Sequence, residues 1–512
     1  MAAFSPQDIM SAAPPAPESA AASGPKAARI AALAETMMGT EAAPATSPIV
    51  LAGLVRMLEA ALLSVTGFLV YMLYVVPANG FALTYGVAVP VISVIAVLMF
   101  QALDINHVNA FRQPLSNGFR LAGGWSLIIL AALALVFFAR LEMLFSRVWL
   151  ASWFVLGLAV LLIERGLLAA LVQRMTRAGR LDRRTAIVGG GPAGEALLSE
   201  LSRQEDTDLR ICGVFDDRTD DRSPDVVAGY PKLGNVDDLV EFARHTRLDL
   251  VIFTMPITAE QRLLAMLRKL WVLPIDIRLS AHTNKLRFRP RSYSYIGAVP
   301  VLDVFDKPIA DWDVVLKSVF DRAIGALALI ALSPVLLATA IAVKLDSKGP
   351  VIFRQKRYGF NNEMIEVFKF RSMRVDQLDA TAAKLVTRDD PRVTRVGRFI
   401  RKSSLDELPQ LFNVVFKGNL SLVGPRPHAV HAKAADRIYD EVVDGYFARH
   451  RVRPGITGWA QVNGWRGETD TPEKLQRRVE HDLHYIENWS LLFDLYILLI
   501  TPFALSKTDN AY

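Results

Sequence analysis

A chain of 512 residues, 52% of them hydrophobic and with a mean hydropathy of +0.27, holds several domains and a large membrane-embedded fraction. One cysteine, Cys212, excludes an intrachain disulfide framework and a thiolate metal cluster. The formal net charge of +7 fits nucleic acid or an anionic membrane surface; aromatic and basic residues do not interleave as in single-strand binders, so the apolar runs decide for membrane and against nucleic acid.

Residues 1–47 are rich in Ala, Pro and Ser without a sustained apolar face and read as a disordered tail. They do not read as a signal peptide, because the first apolar run begins near Pro48. Runs over roughly 48–76, 81–104, 121–139 and 148–172 are each near the ~20 residues that cross a bilayer, so 48–173 reads as four transmembrane helices. Arg112 and Arg120 follow the second run, and Arg174, Arg177, Arg180, Arg183 and Arg184 follow the fourth. The uncharged first loop, Pro77–Gly80, contrasts with both, which places both ends of the unit in the cytoplasm. The segment with Arg140, Glu142 and Arg147 is a minor exception. Arg56 and Glu59, and later Glu164 and Arg165, sit towards the cytoplasmic ends, where long side chains snorkel to the interface; a functional intramembrane ion pair is the opposite reading.

Thr185-Ala-Ile-Val188 then runs as a short apolar strand into G-x-G-x-x-G at Gly189, Gly191 and Gly194. Further strands fit Ile211–Asp216, Leu248–Thr254 and Pro274–Arg278, so 184–305 reads as a Rossmann-like α/β module. The glycines would let a backbone approach a pyrophosphate, with Asp216 or Asp217 near the expected ribose-binding acid. Tight-turn chemistry without any ligand accounts for the same residues, and no cofactor is assigned there.

Ala323–Val343 is a run of 21 uncharged residues flanked on both sides by basic ones: Lys317 and Arg322 before, Lys344, Lys348, Arg354, Lys356 and Arg357 after. Spanning would carry the polar remainder across the membrane against that charge pattern. Ser333-Pro334 lies near the middle, where proline removes a helical hydrogen bond and bends the helix. A re-entrant helix over 322–344 satisfies both facts, and a kinked spanning helix is the alternative. Trp489–Pro502 is apolar but short and interrupted by Asp494, and reads as an interfacial helix.

Within the polar region, Arg401-Lys-Ser-Ser-Leu-Asp-Glu-Leu-Pro-Gln410 sets two adjacent carboxylates, Asp406 and Glu407, among Arg392, Arg395, Arg398, Arg401, Lys402 and Arg426. Carboxylates among arginines suit a phosphate anion with a divalent metal between the charges, and oxygen-only ligands suit Mg²⁺. Ser404-x-x-Glu407 equally fits a capping box at a helix start. Five histidines fall in this region (His428, His431, His450, His481 and His484), none paired with cysteine in zinc spacing; His428 beside Arg426 is the one worth testing.

From about Lys317 onward the chain resembles the monotopic phosphoglycosyl transferases, bacterial enzymes that load a phosphosugar onto a polyprenyl phosphate carrier. The matching pieces run in order: Lys317–Arg322, Ser333-Pro334, Gly349–Arg357, Phe368–Met373, Leu405–Gln410, Gly418–Pro427 and Arg453–Trp459. The upstream helices and α/β module resemble those of the long members, typified by the undecaprenyl-phosphate glucose phosphotransferases, and Pro427–Val430 and Asn463–Gly467 look closest to these. The resemblance implies a catalytic domain over 312–512 with a re-entrant helix and amphipathic interfacial helices. It implies transfer of glucose-1-phosphate from a UDP-sugar to undecaprenyl phosphate, with UMP released, as the first membrane step of exopolysaccharide or capsule synthesis. Asp406 would be the nucleophile and Glu407 the Mg²⁺ ligand. Arg426 and Arg401 would hold phosphate oxygens, with Lys369, Arg371, Arg354 and Gln355 lining the site. The implied setting is the bacterial inner membrane, with the catalytic domain on the cytoplasmic face at the lipid bilayer; a homodimer stays open.

Galactose-1-phosphate is the next choice of sugar. A membrane-tethered NAD-dependent sugar-nucleotide enzyme using the 185–305 module would usually carry Tyr-x-x-x-Lys, and no tyrosine here has lysine four residues later. A non-catalytic scaffold for polysaccharide export would need neither Asp406-Glu407 nor Arg426.

Overall fold

The computed structural model describes residues 46–141, 144–204, 208–218, 224–255, 259–280, 294–296, 299–374, 391–427, 433–434, 437–438, 446–465, 467 and 471–506. The expectation for the N-terminal tail falls outside these residues except at 46–47, and those for His428 and His431 fall wholly outside them. Two compact units divide the chain, the first comprising mainly Thr40–Arg183 and the second mainly Ile211–Tyr512 with Arg184–Thr207.

Four helices of the first unit are long and apolar enough to cross a membrane. They are α1 (Pro48–Val70, continuing through a π turn to Asn79), α2 (Leu83–Ala102), α3 (Pro114–Phe138) and α4 (Arg147–Arg177). Their outer faces carry exposed Leu73, Leu98, Leu135 and Leu167, while Trp125, Trp149 and Trp153 fill the interior. Each indole N–H finds a backbone carbonyl, on Phe154, Gly67 and Leu63 respectively, all at 3.0 Å. Such pairing is what an apolar solvent demands of a polar atom. Glu59 and Arg165 do not snorkel. Both are buried and bond each other, and Asn106 joins both of them. A partner across the bundle is nearer than the interface, so the charges turn inward.

In the second unit, the described residues of the α/β module form an eight-stranded sheet in the order β3 (Val226–Val227), β4 (Tyr230–Gly234), β2, β1, β5, β6, β8 and β7 (Ser294–Ile296). β1 (Arg183–Val188), β2 (Leu209–Phe215), β5 (Leu250–Phe253) and β6 (Asp276–Ser280) form its centre. There β1–β5 and β5–β6 pair in parallel, whereas β8 (Val299–Phe305) returns antiparallel on β6. The parallel strands are almost fully buried, as both faces of such a sheet require. Helices α5 (Pro192–Ser202), α6 (Val236–His245) and α7 (Glu260–Leu270) connect them. Gly191 precedes α5, and a Cβ on Gly194 would lie 2.2 Å from the Gly189 carbonyl oxygen, so the loop can fold back only with glycine there.

The remainder begins with α8 (Asp311–Ala331) and α9 (Ser333–Asp346), bent by 63° at Leu332. The hairpin β9 (Ile352–Tyr358) and β10 (Met364–Phe370) follows, then α10 (Arg395–Lys402) and a parallel pair, β11 (Ser421–Val423) and β12 (Gly455–Thr457). Helices α11 (Pro472–Glu487) and α12 (Leu491–Ser506) close the chain. Asp494, which in sequence looks like an interruption of α12, is wholly buried against Lys317 Nζ at 2.7 Å and Tyr485 Oη at 2.7 Å. It pins α12 to α8. The α/β module packs on this domain through Asn361 Nδ2, which donates to the Ala243 carbonyl at 2.9 Å, and through Arg244 over the Phe447 ring.

Candidate active site

Alternation along β9 and β10 sets the floor of the site. Gln355 and Arg357 share a face, as do Val367 and Lys369, and Val367 sits opposite Gln355 in the register. Arg354 points the other way and is largely exposed, lying over the outer face of Phe368. The next wall is the segment after α10. Thr394 caps that helix by accepting from the Gly397 N–H at 2.9 Å, and the chain reverses at Ser404, whose φ of 59° is left-handed. No side-chain cap forms at Ser404, so the capping-box expectation is corrected: the left-handed residue opens a tight turn in which the Glu407 N–H donates to the Ser404 carbonyl at 3.2 Å instead. Leu405–Glu407 is a single tight turn carrying both carboxylates. Asn413, fully buried, then ties it to β10 by accepting from Phe368 N–H at 2.9 Å and donating to Glu366 O at 2.6 Å.

The third wall is Gly424-Pro-Arg-Pro427 at the end of β11. A Cβ on Gly455 would lie 2.1 Å from the Gly424 nitrogen, so the two parallel strands approach closely only with glycine there. Together these walls form a pocket lined by Arg357, Val367, Lys369, Glu407, Gln410, Arg426, Pro427, Gly455 and Ile456.

Within it, Glu407 Oε1 accepts from Lys369 Nζ at 3.0 Å and from Arg426 Nη2. Asp406 is pushed up to about 6 by burial first and by the adjacent Glu407 second, while Lys369, Arg401 and Arg426 pull it down. Burial also lowers Lys369, against the attraction of Glu407 and Asp406. A buried nitrogen of Arg401, Nη1, has no hydrogen-bond partner beside this acid pair. Two carboxylates among three cations make a site poised for an anion that brings counter-charge with it.

Asp406, Glu407, Lys369, Arg401 and Arg426 are therefore brought together. Gln355 reaches the pocket indirectly, accepting from Arg357 at 2.7 Å. Asp406 and Arg401 stand beside the lining rather than in it, next to Glu407 and in electrostatic reach of each other, whereas Arg354 and Arg371 are neither lining residues nor partners of the acid pair. Arg371, just past β10, is buried and donates to Ser347 O at 2.6 Å and Ser347 Oγ at 3.0 Å. Arg357 and Gln410 line the pocket and were not singled out from sequence; the period-two spacing from Gln355 was the available signal for Arg357. His450 is buried beside Asn362, and burial with Arg449 and Arg244 keeps it well below the usual histidine range. Among the described residues no three or more His, Cys, Asp or Glu side chains are grouped to cage a metal. The donor set that remains, Asp406 and Glu407, fits a divalent cation completed by substrate phosphates.

In the α/β module, the glycine loop is occupied by the protein's own side chain. Asp216 accepts from the Gly190 N–H at 2.8 Å and from Arg218 Nη2 at 2.6 Å. Burial alone would raise Asp216, but Arg218 and the Gly190 N–H outweigh it and bring it down to about 2.

The family profile described as "Bacterial sugar transferase" matches residues 312–508, which carry every wall of the pocket. A UDP-glucose:undecaprenyl-phosphate glucose-1-phosphate transferase of Klebsiella pneumoniae is 39% identical, over 76% of this chain and 81% of its own. The chain belongs to the bacterial sugar transferase family. An undecaprenyl-phosphate glucose phosphotransferase of Komagataeibacter xylinus is 40% identical over 68% of this chain; that match spans 64% of the relative's length. An exopolysaccharide production protein of Rhizobium leguminosarum is 47% identical over 37% of this chain and 94% of its own, so that protein consists almost entirely of the part matched here. A profile described as "CoA-binding domain" matches residues 101–281, overlapping the α/β module of this sugar transferase.

Proposed function

We propose that the protein transfers glucose-1-phosphate from UDP-glucose to undecaprenyl phosphate, releasing UMP, as an early membrane step of exopolysaccharide synthesis. The observation that carries this reading is the Asp406–Glu407 turn held among Lys369, Arg401 and Arg426 in a domain of the sugar transferase family. Relatives named for the same glucose-1-phosphate transfer support the choice of substrates.

An Asp406 oxygen attacks the sugar-bearing β-phosphorus, and the bond from that phosphorus to the bridging oxygen breaks, so UMP leaves with the electron pair. A phosphate oxygen of the carrier then attacks the aspartyl-phosphosugar and frees the Asp406 carboxylate. Both nucleophiles are anions, so charge repulsion is the main obstacle. Lys369, Arg401 and Arg426 are already arranged to counter it, which is the usual source of the largest catalytic term. Mg²⁺ held at Glu407 would neutralise further diphosphate charge. Arg357, on the same pocket face as Lys369, would orient the diphosphate.

The lipid substrate suits an apolar groove of ≈ 590 Å³ at the bend of α8 and α9, lined by Leu329, Ile330, Leu336, Leu337, Phe370 and Phe412 among others. Leu405 and Leu408, on either side of Asp406-Glu407, pack against the cluster that holds Leu336 and Phe370 of this groove, so a tail lying in it would lead its phosphate towards Asp406. The bent pair is read as re-entrant. Lys317 and Asp321 at one end bond Val423 O and Leu422 N, and Asp346 at the other accepts from Val396 N at 3.2 Å. Both ends thus return to one domain. Symmetrically tilted arms of this length dip only about 10 Å, against about 30 Å of hydrocarbon. The four upstream helices anchor the domain, with their basic ends and the site in the bacterial cytoplasm.

Nucleotide release from protein in lipid, with UDP-glucose, undecaprenyl phosphate and Mg²⁺, tests the chemistry. UMP is expected, and UDP would mean direct glycosyl transfer and sink the reading. UMP from UDP-galactose alone would change only the sugar. Cysteines replacing Asp313 and Lys348 should both resist an impermeant thiol reagent in intact spheroplasts; labelling at Lys348→Cys alone would mean a spanning helix.

A further inference from the structure

Buried charges outside the acid pair gather around one short segment, Val423–Arg426, and hold its backbone at both ends. At the far end stands Arg449, in the Tyr446–Arg451 turn, with no exposed surface. Its Nη2 donates to the Arg426 carbonyl at 2.8 Å and to Asp482 Oδ2, on α11, at 2.6 Å. At the near end the Val423 carbonyl accepts from Lys317 Nζ at 3.1 Å and Tyr485 Oη at 3.0 Å.

A buried ion pair is seldom better for stability than apolar side chains of the same volume. The arrangement around Arg449 answers a different need. The Arg426 guanidinium is the group that meets Glu407, and where a guanidinium points depends on where its backbone is held. Pro425 and Pro427 flank it and donate no N–H, so carbonyls are the main-chain handles here: Gly455 N–H holds that of Pro425 at 2.9 Å, Arg357 Nη1 that of Pro427 at 3.1 Å, and the handle of Arg426 itself lies between them. Arg449 grips that handle while Asp482 fixes the Arg449 fork.

We propose that Arg449, with Asp482, is a positioning residue for the transfer reaction. It acts through the Arg426 carbonyl to aim the Arg426 guanidinium at substrate phosphate oxygens. The proposal rests on the transfer chemistry proposed above.

The test is a cycle of four full-length proteins in lipid: wild type, Arg449→Lys, Arg426→Ala and the double variant. Single-turnover UMP formation from UDP-glucose, its KM and the thermal midpoint are measured on each. Arg449→Lys should slow UMP formation roughly 30-fold with KM changed less than about threefold, and should slow it by less than about twofold once Arg426 is alanine. The midpoint should fall equally in both backgrounds. Equal slowing in both backgrounds would make Arg449 a stability residue and overturn the proposal. If Arg449→Lys does not fold, Asp482→Asn, which keeps an acceptor for Arg449, takes its place in the same cycle with the same criterion. A wild type that releases UMP from neither UDP-glucose nor UDP-galactose would bring down the transfer chemistry and this proposal together. An active wild type with additive losses brings down the positioning role alone.

Discussion

Two loops of this protein set an aspartate against arginines, and they end in opposite electrostatic states. In the α/β module, Asp216 closes the glycine loop. It takes the Gly190 N–H that a phosphate would otherwise use, pairs with Arg218, and is held at about 2. In the catalytic domain, Asp406 sits beside Glu407, which takes up Lys369 and Arg426, and Asp406 is pushed to about 6. The first loop has its aspartate satisfied by the Gly190 N–H and by Arg218. The second keeps an aspartate short of compensation, which is the state a nucleophile awaiting a charged substrate needs.

The largest effect expected from this contrast is at Asp406. Asp406→Asn should cut UMP release by roughly a thousandfold or more, because the attacking oxygen is gone. The same variant should resist denaturation better. The folded-state value of Asp406 lies above that of an unfolded carboxylate, so its stabilising contribution is present below the unfolded value and lost as pH rises through about 6. At pH 7 the wild type carries that cost and the asparagine does not. A fall in the denaturation midpoint would contradict the assignment of a destabilised carboxylate.

Next in size is the pH profile. UMP formation at low substrate and low metal should fall about tenfold per unit below about pH 6, as Asp406 takes up a proton. Raising the divalent cation concentration should move this limb to lower pH, since a cation at Glu407 favours the ionised neighbour. A limb that ignores the cation would place it elsewhere than the acid pair.

The module should respond in the opposite manner. Gly194→Ala forces a Cβ to 2.2 Å from a backbone oxygen and should lower stability by about 2 kcal/mol or more. Asp216→Asn should lower it by about 1–2 kcal/mol once solvent screening is allowed for. That loss is expected above about pH 4 and should fade as pH falls towards 2, because the folded value of Asp216 is depressed. UMP formation per folded molecule should stay unchanged in both, measured after correction for active protein. A rate loss in Asp216→Asn would mean the loop speaks to the active site. The smallest effect belongs to Arg354→Ala: its side chain is 67% exposed on the face of β9 away from the pocket, so the rate should stay within about twofold.

The amino-acid sequence by itself determined the four apolar helices, the parallel α/β module and the acid pair with its basic surround, because periodicity, run length and motif spacing are local. The bend at Ser333-Pro334 was equally local, since proline removes a specific hydrogen bond. What tertiary structure decided is which charge meets which. Glu59 and Arg165, which in sequence allow either snorkelling or an intramembrane pair, become an internal pair. Asp494 changes from an apparent interruption into the pin that joins α12 to α8. Arg354 and Arg371 look equivalent to Lys369 and Arg426 in a list of basic residues. Strand alternation turns Arg354 outward, and a position just beyond β10 gives Arg371 to Ser347. Arg449 and Asp482 are 33 residues apart, and nothing in their neighbours announces that they meet or that they hold Arg426. Long-range pairing of charges depends on distances between elements, and those exist only once the elements have packed.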